Sequence, residues 1–427
     1  MSVRFFWITN IPTPYRNHQF ERMAELFPRH GIEFRVLFMA WTERRRPWNF
    51  APEELRYPWT LHKAVLQRLG EHAIHINPTL LTSLRRDQVD VIMVGGWASP
   101  THVLAPLVTP RHVVKILGCE SHAGSVRRRH SLASRAKRAI IHQYEAFMVP
   151  GMRSRELICA LDPSALRKPW VRLPNLIDAR LFRDGVAALR SSRDALRANL
   201  GVPPGRQLWF CPARLAPEKG LRELLPLLAG LRNVELLVAG DGPLRGELQA
   251  TIDRNRLPAR LLGQQSQERI LELYAAADLF VLPSLGDPSP LSAIEAAAGR
   301  LPLLLSSRAG NCDDLVREGV NGWILDVESG DARGSLLRRI AAHSPEALAT
   351  IGARSLERYE SEFDSDRCIE RLANFISHLA DTRRRSRTVH RSQGRLNEAA
   401  GSPRTVASMP GVLSTAGGTG GTVQRSR

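Results

Sequence analysis

Long apolar runs are missing from this chain of 427 residues. No stretch approaches the roughly 18 consecutive apolar residues of a membrane span, and residues 1–10 hold too short an apolar run for a signal peptide. The expectation is a chain neither secreted by that route nor threaded through a membrane. Cysteine is scarce: Cys119, Cys159, Cys211, Cys312 and Cys368 are isolated, odd in number and form no C-x-x-C. That usage excludes a disulfide framework and a structural zinc site, and it fits a reduced, intracellular protein with no metal. Acidic residues are few beside basic ones, 42 against 60, for a formal charge of +18. Anionic lipid, nucleic acid and a phosphate-rich substrate all fit that excess, as does a genomic preference for arginine with no partner at all. Aromatics make up only 6% of the chain and interleave with no basic stripe, so no specific nucleic-acid partner is expected.

What is present is length and rhythm. A chain of this size with 43% hydrophobic residues can bury two cores. Strand-like runs at 4–9, 34–38, 91–94 and 113–117, with a helix at 17–27, set the alternation of a parallel α/β sheet. A second series starts near Leu208 and continues through 235–239, 279–282 and 303–306. The join falls in Leu173-Pro174-Asn175-Leu176-Ile177-Asp178 and the charged stretch after it, so residues 1–178 and 179–363 are expected to form two doubly wound domains facing a cleft. Residues 381–427 differ from both. Nine arginines there meet only Asp381 and Glu398, among many Gly, Ser and Thr, which predicts a disordered basic tail.

Two motifs carry the chemistry. In Gly286-Asp287-Pro288-Ser289-Pro290-Leu291-Ser292-Ala293-Ile294-Glu295 a strand at 279–282 leads through a loop into a helix. In open α/β sheets ligands bind at that strand end. The amides of Leu291 and Ser292, beyond Pro288 and Pro290, are donors for a phosphate at the helix start, and Glu295 lies one turn further in. Taken alone, this stretch also reads as a capped helix with a solvated Glu. Upstream, Ala213-Arg214-Leu215-Ala216-Pro217-Glu218-Lys219-Gly220 follows another strand. Arg214 and Lys219 on one loop suit a diphosphate, the Arg as a bidentate fork and the Lys as a point charge.

With both loops in view the chain resembles the family 4 glycosyltransferases (glycosyltransferase group 1), retaining enzymes with the GT-B fold of two Rossmann-like domains. The resemblance spans most of residues 1–380 and is densest in five segments: residues 213–220, Val238-Ala239-Gly240-Asp241-Gly242-Pro243-Leu244, Tyr274 to Ser284, the carboxylate pair, and Asn321-Gly322-Trp323-Ile324-Leu325-Asp326. It maps the family's E-x7-E motif onto Asp287 and Glu295 and its phosphate-binding cations onto Arg214 and Lys219. It implies that Glu295 binds the nucleotide ribose, that Asp287 faces the donor sugar, and that the helix at 364–380 crosses back to the first domain. Two departures stand out: Asp287 replaces the usual Glu, shortening the reach by about 1.5 Å, and Pro290 replaces the usual Gly.

The first domain is expected to hold the acceptor. Asn10-Ile11-Pro12-Thr13-Pro14-Tyr15-Arg16 follows its first strand, placing Tyr15 and Arg16 at the cleft, although a proline-stiffened turn explains the segment equally well. Gly118-Cys119-Glu120-Ser121-His122 ends another strand at the same edge. Glu120 and His122 are candidates for the polar group that the resemblance implies near there, with a scaffold role as the alternative. Arg127-Arg128-Arg129, Arg135, Lys137 and Arg138 form a basic cluster, either a solvated face or a contact for anionic lipid. Gly240, Gly242 and Gly246 give G-x-G-x-x-x-G, but no acidic strand end follows about 20 residues on, which argues against a dinucleotide enzyme and makes these glycines mainly structural.

The expectation is transfer of a sugar from a nucleotide diphosphate sugar to a hydroxyl on a glycan or glycolipid, without a metal or cofactor, by a cytoplasmic protein that binds peripherally to membranes. The alternatives are a basic interaction protein that has lost catalysis and a nucleotide-sugar 2-epimerase.

Overall fold

The computed structural model describes residues 2–43, 50–69, 72–121, 132–326 and 332–400. Its first half contains β1 (Val3–Thr9), β2 (Ile32–Phe38), β3 (Trp59–Leu61), an antiparallel pair β4 (Val65–Leu69) and β5 (His72–Ile76), β6 (Val91–Gly95), β7 (Val114–Gly118), β8 (Ala146–Val149) and β9 (Trp170–Arg172). In β1, Phe5 and Trp7 alternate with Phe6 and Ile8, and all four are buried. Successive strand side chains point to opposite faces, so a strand apolar on both sides belongs to a parallel sheet covered by helices on both. Phe5 and Trp7 enter one core, Phe6 and Ile8 another. Among the described residues the sheet has seven strands in the order β3-β2-β1-β6-β7-β8-β9, every neighbouring pair parallel.

The second half repeats the design with β10 (Gln207–Pro212), β11 (Val234–Ala239), β12 (Ala259–Gly263), β13 (Leu279–Leu282), β14 (Leu303–Ser306) and β15 (Gly322–Leu325). Their order is β12-β11-β10-β13-β14-β15, again parallel throughout. The segment linking the two sheets packs here, with Ile177, Val186, Leu196 and Leu200 in a core of the second sheet. The apolar run 221–228 splits into a helix at Leu221–Leu224 and a 3-10 turn at Leu225–Leu228, where Pro226 has no amide to continue the ladder.

The helix Ser365–Ala400 sends Cys368, Ile369, Leu372, Ala373 and Ile376 into the core of the first sheet. Its start is anchored there: the Ser365 hydroxyl donates to the Ile177 carbonyl at 2.9 Å, and Arg22 grips Asp366 with two hydrogen bonds of 2.7 and 2.6 Å. Disorder expected from residue 381 is corrected by this helix, which runs on to Ala400. Arg, Gln, Leu, Glu and Ala of this stretch are good helix formers, and extending an existing helix needs no new nucleus. The charge composition that predicted disorder carries no information on either point. The rest of the expected tail, 401–427, lies outside the described residues.

Polar contacts tie the first domain to the loops of the second. The amide of Met152 donates to Asp314 Oδ2 at 3.0 Å, Arg153 Nε donates to Asp313 at 2.6 Å, and the Asn175 carboxamide donates to the Ser289 carbonyl at 3.0 Å.

Candidate functional site

A doubly wound sheet opens a crevice where the chain reverses its direction of winding. In the second sheet that point lies between β10 and β13, whose other neighbours β11 and β14 lie on opposite sides. The loop after β10 carries Arg214 and Lys219, and the loop after β13 carries Asp287. Backbone contacts clamp the two loops together. The Leu285 amide donates to the Glu218 carbonyl at 2.8 Å, and Gly220, at φ +69°, approaches Pro283 so closely that a Cβ would lie 2.0 Å from its carbonyl oxygen. On the far side the Gly310 amide donates to the Asp287 carbonyl at 2.7 Å, and a Cβ at Gly310 would lie 1.9 Å from the Pro288 oxygen. Only glycine permits either approach.

This clamping brings Lys219 Nζ to 2.6 Å from Asp287 Oδ2, both side chains being mostly buried. The sequence indicated both residues but not their contact. Arg214 is exposed, and no carboxylate among the described residues pairs with it. Lys219 and Asp287 largely neutralise each other, which leaves Arg214 as a cation at this edge with no carboxylate partner among the described residues.

Pro290 caps the helix Leu291–Ala298, its carbonyl held by the Asn311 carboxamide at 3.1 Å. The amides of Leu291 and Ser292 lie in the first helical turn, where no intrahelical acceptor exists for them. One turn on, the half-buried Glu295 accepts a hydrogen bond of 2.9 Å from the Tyr274 hydroxyl on the helix Gln267–Ala276. Burial pushes the Glu295 carboxyl up to about 7, and the tyrosine bond only partly offsets it. Gly240 takes φ +146°, and a Cβ on it would lie 2.2 Å from the Ala213 carbonyl oxygen. Its part in the site is to let the 240–243 turn pack beneath the Arg214 loop.

The equivalent point of the first sheet lies between β1 and β6. A cavity of about 330 Å³ opens there, with Trp7, Asn10, Tyr15, Arg16, Trp97 and Glu120 in its wall. The Arg16 guanidinium lies 5.3 Å from the centre of the Trp7 ring, donates to Gln19 at 2.7 Å and forms an ion pair with Glu120. Tyr15, Arg16 and Glu120 thus meet in one cavity, while His122 and Arg127, Arg128 and Arg129 lie outside the described residues. A group that sequence reasoning missed stands behind Asn10: its carboxamide donates to Glu43 at 3.2 Å, and Glu43 also meets His75 Nε2 at 3.0 Å. His102 lies close by, and burial pushes its imidazole down to about 4. These residues come from separate elements, so no local motif marks them. Among the described residues no group of three or more His, Cys, Asp or Glu side chains is placed to hold a metal ion, and no helix is long and apolar enough to cross a membrane.

The chain is similar to known proteins in sequence and in fold. The family model of glycosyl transferases group 1 matches residues 192–352, the part that contains both charged loops and Glu295. The chain is 25% identical over 309 residues to the D-inositol 3-phosphate glycosyltransferase of Mycolicibacterium smegmatis, covering 70% of this chain and 68% of that one. It is 33% identical over 151 residues to the GDP-mannose-dependent alpha-mannosyltransferase of Corynebacterium glutamicum, which is 35% of this chain and 34% of that one. Among solved structures, HepE of Anabaena in complex with UDP matches with a TM-score of 0.66 at 17% identity, covering 88% of this chain and 100% of that one, a likeness of fold. Residues 192–352 thus match the family model of the glycosyl transferases group 1, and the two parallel-sheet domains have the GT-B architecture.

Proposed function

We propose that the protein transfers a sugar from a nucleoside diphosphate sugar to a hydroxyl group, with retention of anomeric configuration. The observation that carries this reading is the convergence of Arg214, Lys219, Asp287, the helix start at Leu291 and Glu295 on one switch point. In the transfer, the bond from the anomeric carbon to the diphosphate breaks and the diphosphate leaves with the electron pair. The acceptor oxygen bonds to that carbon and passes its proton to the departing diphosphate. Charge grows on the leaving diphosphate, where Arg214, Lys219 and the amides of Leu291 and Ser292 stabilise it, the kind of preorganised electrostatic help that is often the largest catalytic contribution. Arg214, helped by the helix-start amides and by Lys219, whose charge Asp287 partly offsets, meets that demand, so the reading calls for no metal ion. Asp287 meets the donor sugar and Glu295 the ribose.

The cavity of the first domain takes the acceptor. Its aromatic wall and the Arg16–Glu120 pair suit the faces and hydroxyls of a glycan or glycolipid headgroup. Arg135 and Arg138, exposed on the helix Leu132–His142, suit peripheral contact with an anionic membrane from the cytoplasmic side. A panel of UDP-, GDP- and ADP-sugars incubated with candidate glycan and glycolipid acceptors tests the reading. Nucleoside diphosphate released in step with a glycosylated product supports it. Its release or interconversion of the donor without an acceptor would favour an epimerase, and no turnover with any donor would favour a binding protein.

A further inference from the structure

Glu295 does not stand alone in the site, and the group that holds it has no part in the chemistry above. Tyr274 is fully buried, with its ring 5.1 Å from Phe210 and 5.9 Å from Phe182, both edge-on, and 6.3 Å from Phe280 in a stacked arrangement. Such packing leaves the phenol no second rotamer. Its hydroxyl reaches out of this aromatic cage to two acceptors on the helix Leu291–Ala298: Glu295 Oε2 at 2.9 Å and the Ser292 carbonyl at 3.1 Å. The one phenolic proton, shared between these two acceptors, holds one oxygen of the Glu295 carboxylate against the turn from which it projects. A carboxylate that must meet ribose hydroxyls in one geometry needs such support, because a free glutamate spreads over several rotamers.

We propose that Tyr274 is a positioning residue for the nucleotide site, aiming Glu295 at the ribose and so setting the preference for a ribonucleotide. The inference rests on the donor-site reading of Glu295. It goes further in assigning ribose discrimination to a side chain that touches no ligand. Phe182 lies in the segment joining the two domains, so the aromatic cage also ties this aim to the inter-domain linker.

Isothermal titration with UDP, GDP and ADP identifies the nucleotide bound best, and its 2′-deoxy and 3′-deoxy forms report the ribose contact. The wild-type chain should prefer the ribonucleotide to at least one deoxy form by roughly tenfold, the lower end of what a hydrogen bond to a charged group contributes. Tyr274→Phe keeps the ring and removes the donor. It should lose roughly that factor on the ribonucleotide and little on the deoxy form, so that the preference collapses. Donor KM should rise by a similar factor with kcat at saturation nearly unchanged, as for a loss of uniform binding. Glu295→Asp withdraws the carboxylate from Tyr274 and should collapse the preference too, which keeps the test open if Tyr274→Phe does not fold. An unchanged ribonucleotide preference in Tyr274→Phe, or equal weakening on both nucleotides, would overturn the inference while leaving the donor site standing, whereas an unchanged preference in Glu295→Asp would overturn the inference together with the ribose reading of Glu295. Binding of none of the three nucleotides to the wild-type chain would overturn both.

Discussion

The two switch points are built from different materials. In the second domain the charged side chains sit on short loops pressed backbone to backbone, and Gly220, Gly240 and Gly310 are placed where any Cβ would strike a carbonyl. In the first domain the cavity wall joins large side chains, Trp7, Tyr15 and Trp97, to Gly95, Gly96 and Gly118, none of which would bring a Cβ closer than 3.1 Å to a neighbour, and Arg16 pairs with Glu120 across it. A backbone-built edge tolerates little change, because its glycines admit no substitute without moving a loop. A side-chain-built edge can be re-cut by substitution on the same sheet. The contrast suits the proposed division of labour, a nucleoside diphosphate on one side and an acceptor on the other.

Removing a cation from the second edge should have the largest effect. Lys219→Ala or Arg214→Ala is expected to lower turnover by about 10²-fold or more, the usual cost of losing a preorganised charge-stabilising group. Steady-state kinetics give the loss, and an unchanged Tm shows that the fold is intact. Near-normal turnover in Lys219→Ala would end the contrast, since the backbone-built edge would then hold nothing that the reaction uses.

A change at the first edge should act on a different constant. Arg16→Ala removes the ion pair with Glu120 and one wall of the cavity. Acceptor KM should rise by about tenfold, the effect of one lost hydrogen bond to a charged group, while nucleoside diphosphate affinity measured by titration stays the same. A parallel fall in nucleotide affinity would merge the two edges into one site.

The smallest expected effect is on stability. The Glu295 carboxyl is pushed up by burial to about 7 in the folded chain from an ordinary value of 4.5. Between those values the folded chain holds a proton that the unfolded chain has released, so stability falls as pH rises through this window and the loss is complete above about 7. Glu295→Gln should therefore raise Tm relative to wild type at pH 8, by a few degrees in a chain of this length, and by less at pH 5. An equal shift at both pH values would show that the carboxyl titrates normally and that the donor edge carries no strained charge.

Much of the second domain is legible in the sequence. Arg214, Lys219, Asp287 and Glu295 lie on continuous segments next to strand ends, and the loops that carry them are short, so order along the chain translates into position. The first domain is harder to read. Arg16 follows β1 and Glu120 follows β7, far apart in the chain, and Asn10, Glu43 and His75 come together only through the packing of separate elements. The helix to Ala400 escapes for another reason, since its arginines read as a charge excess while their helix propensity goes uncounted.

By itself the sequence determined the class of sheet, through strands apolar on both faces, and the identity of the charged groups at one strand edge. Only the tertiary structure decided how those groups pair: Lys219 with Asp287, Arg16 with Glu120, and Tyr274 with Glu295. The physical reason is one of range. Periodicity and turn chemistry act over a few residues and are written locally, whereas an ion pair or a positioning hydrogen bond depends on side-chain ends meeting within about 3 Å, which only the packing of distant segments can arrange.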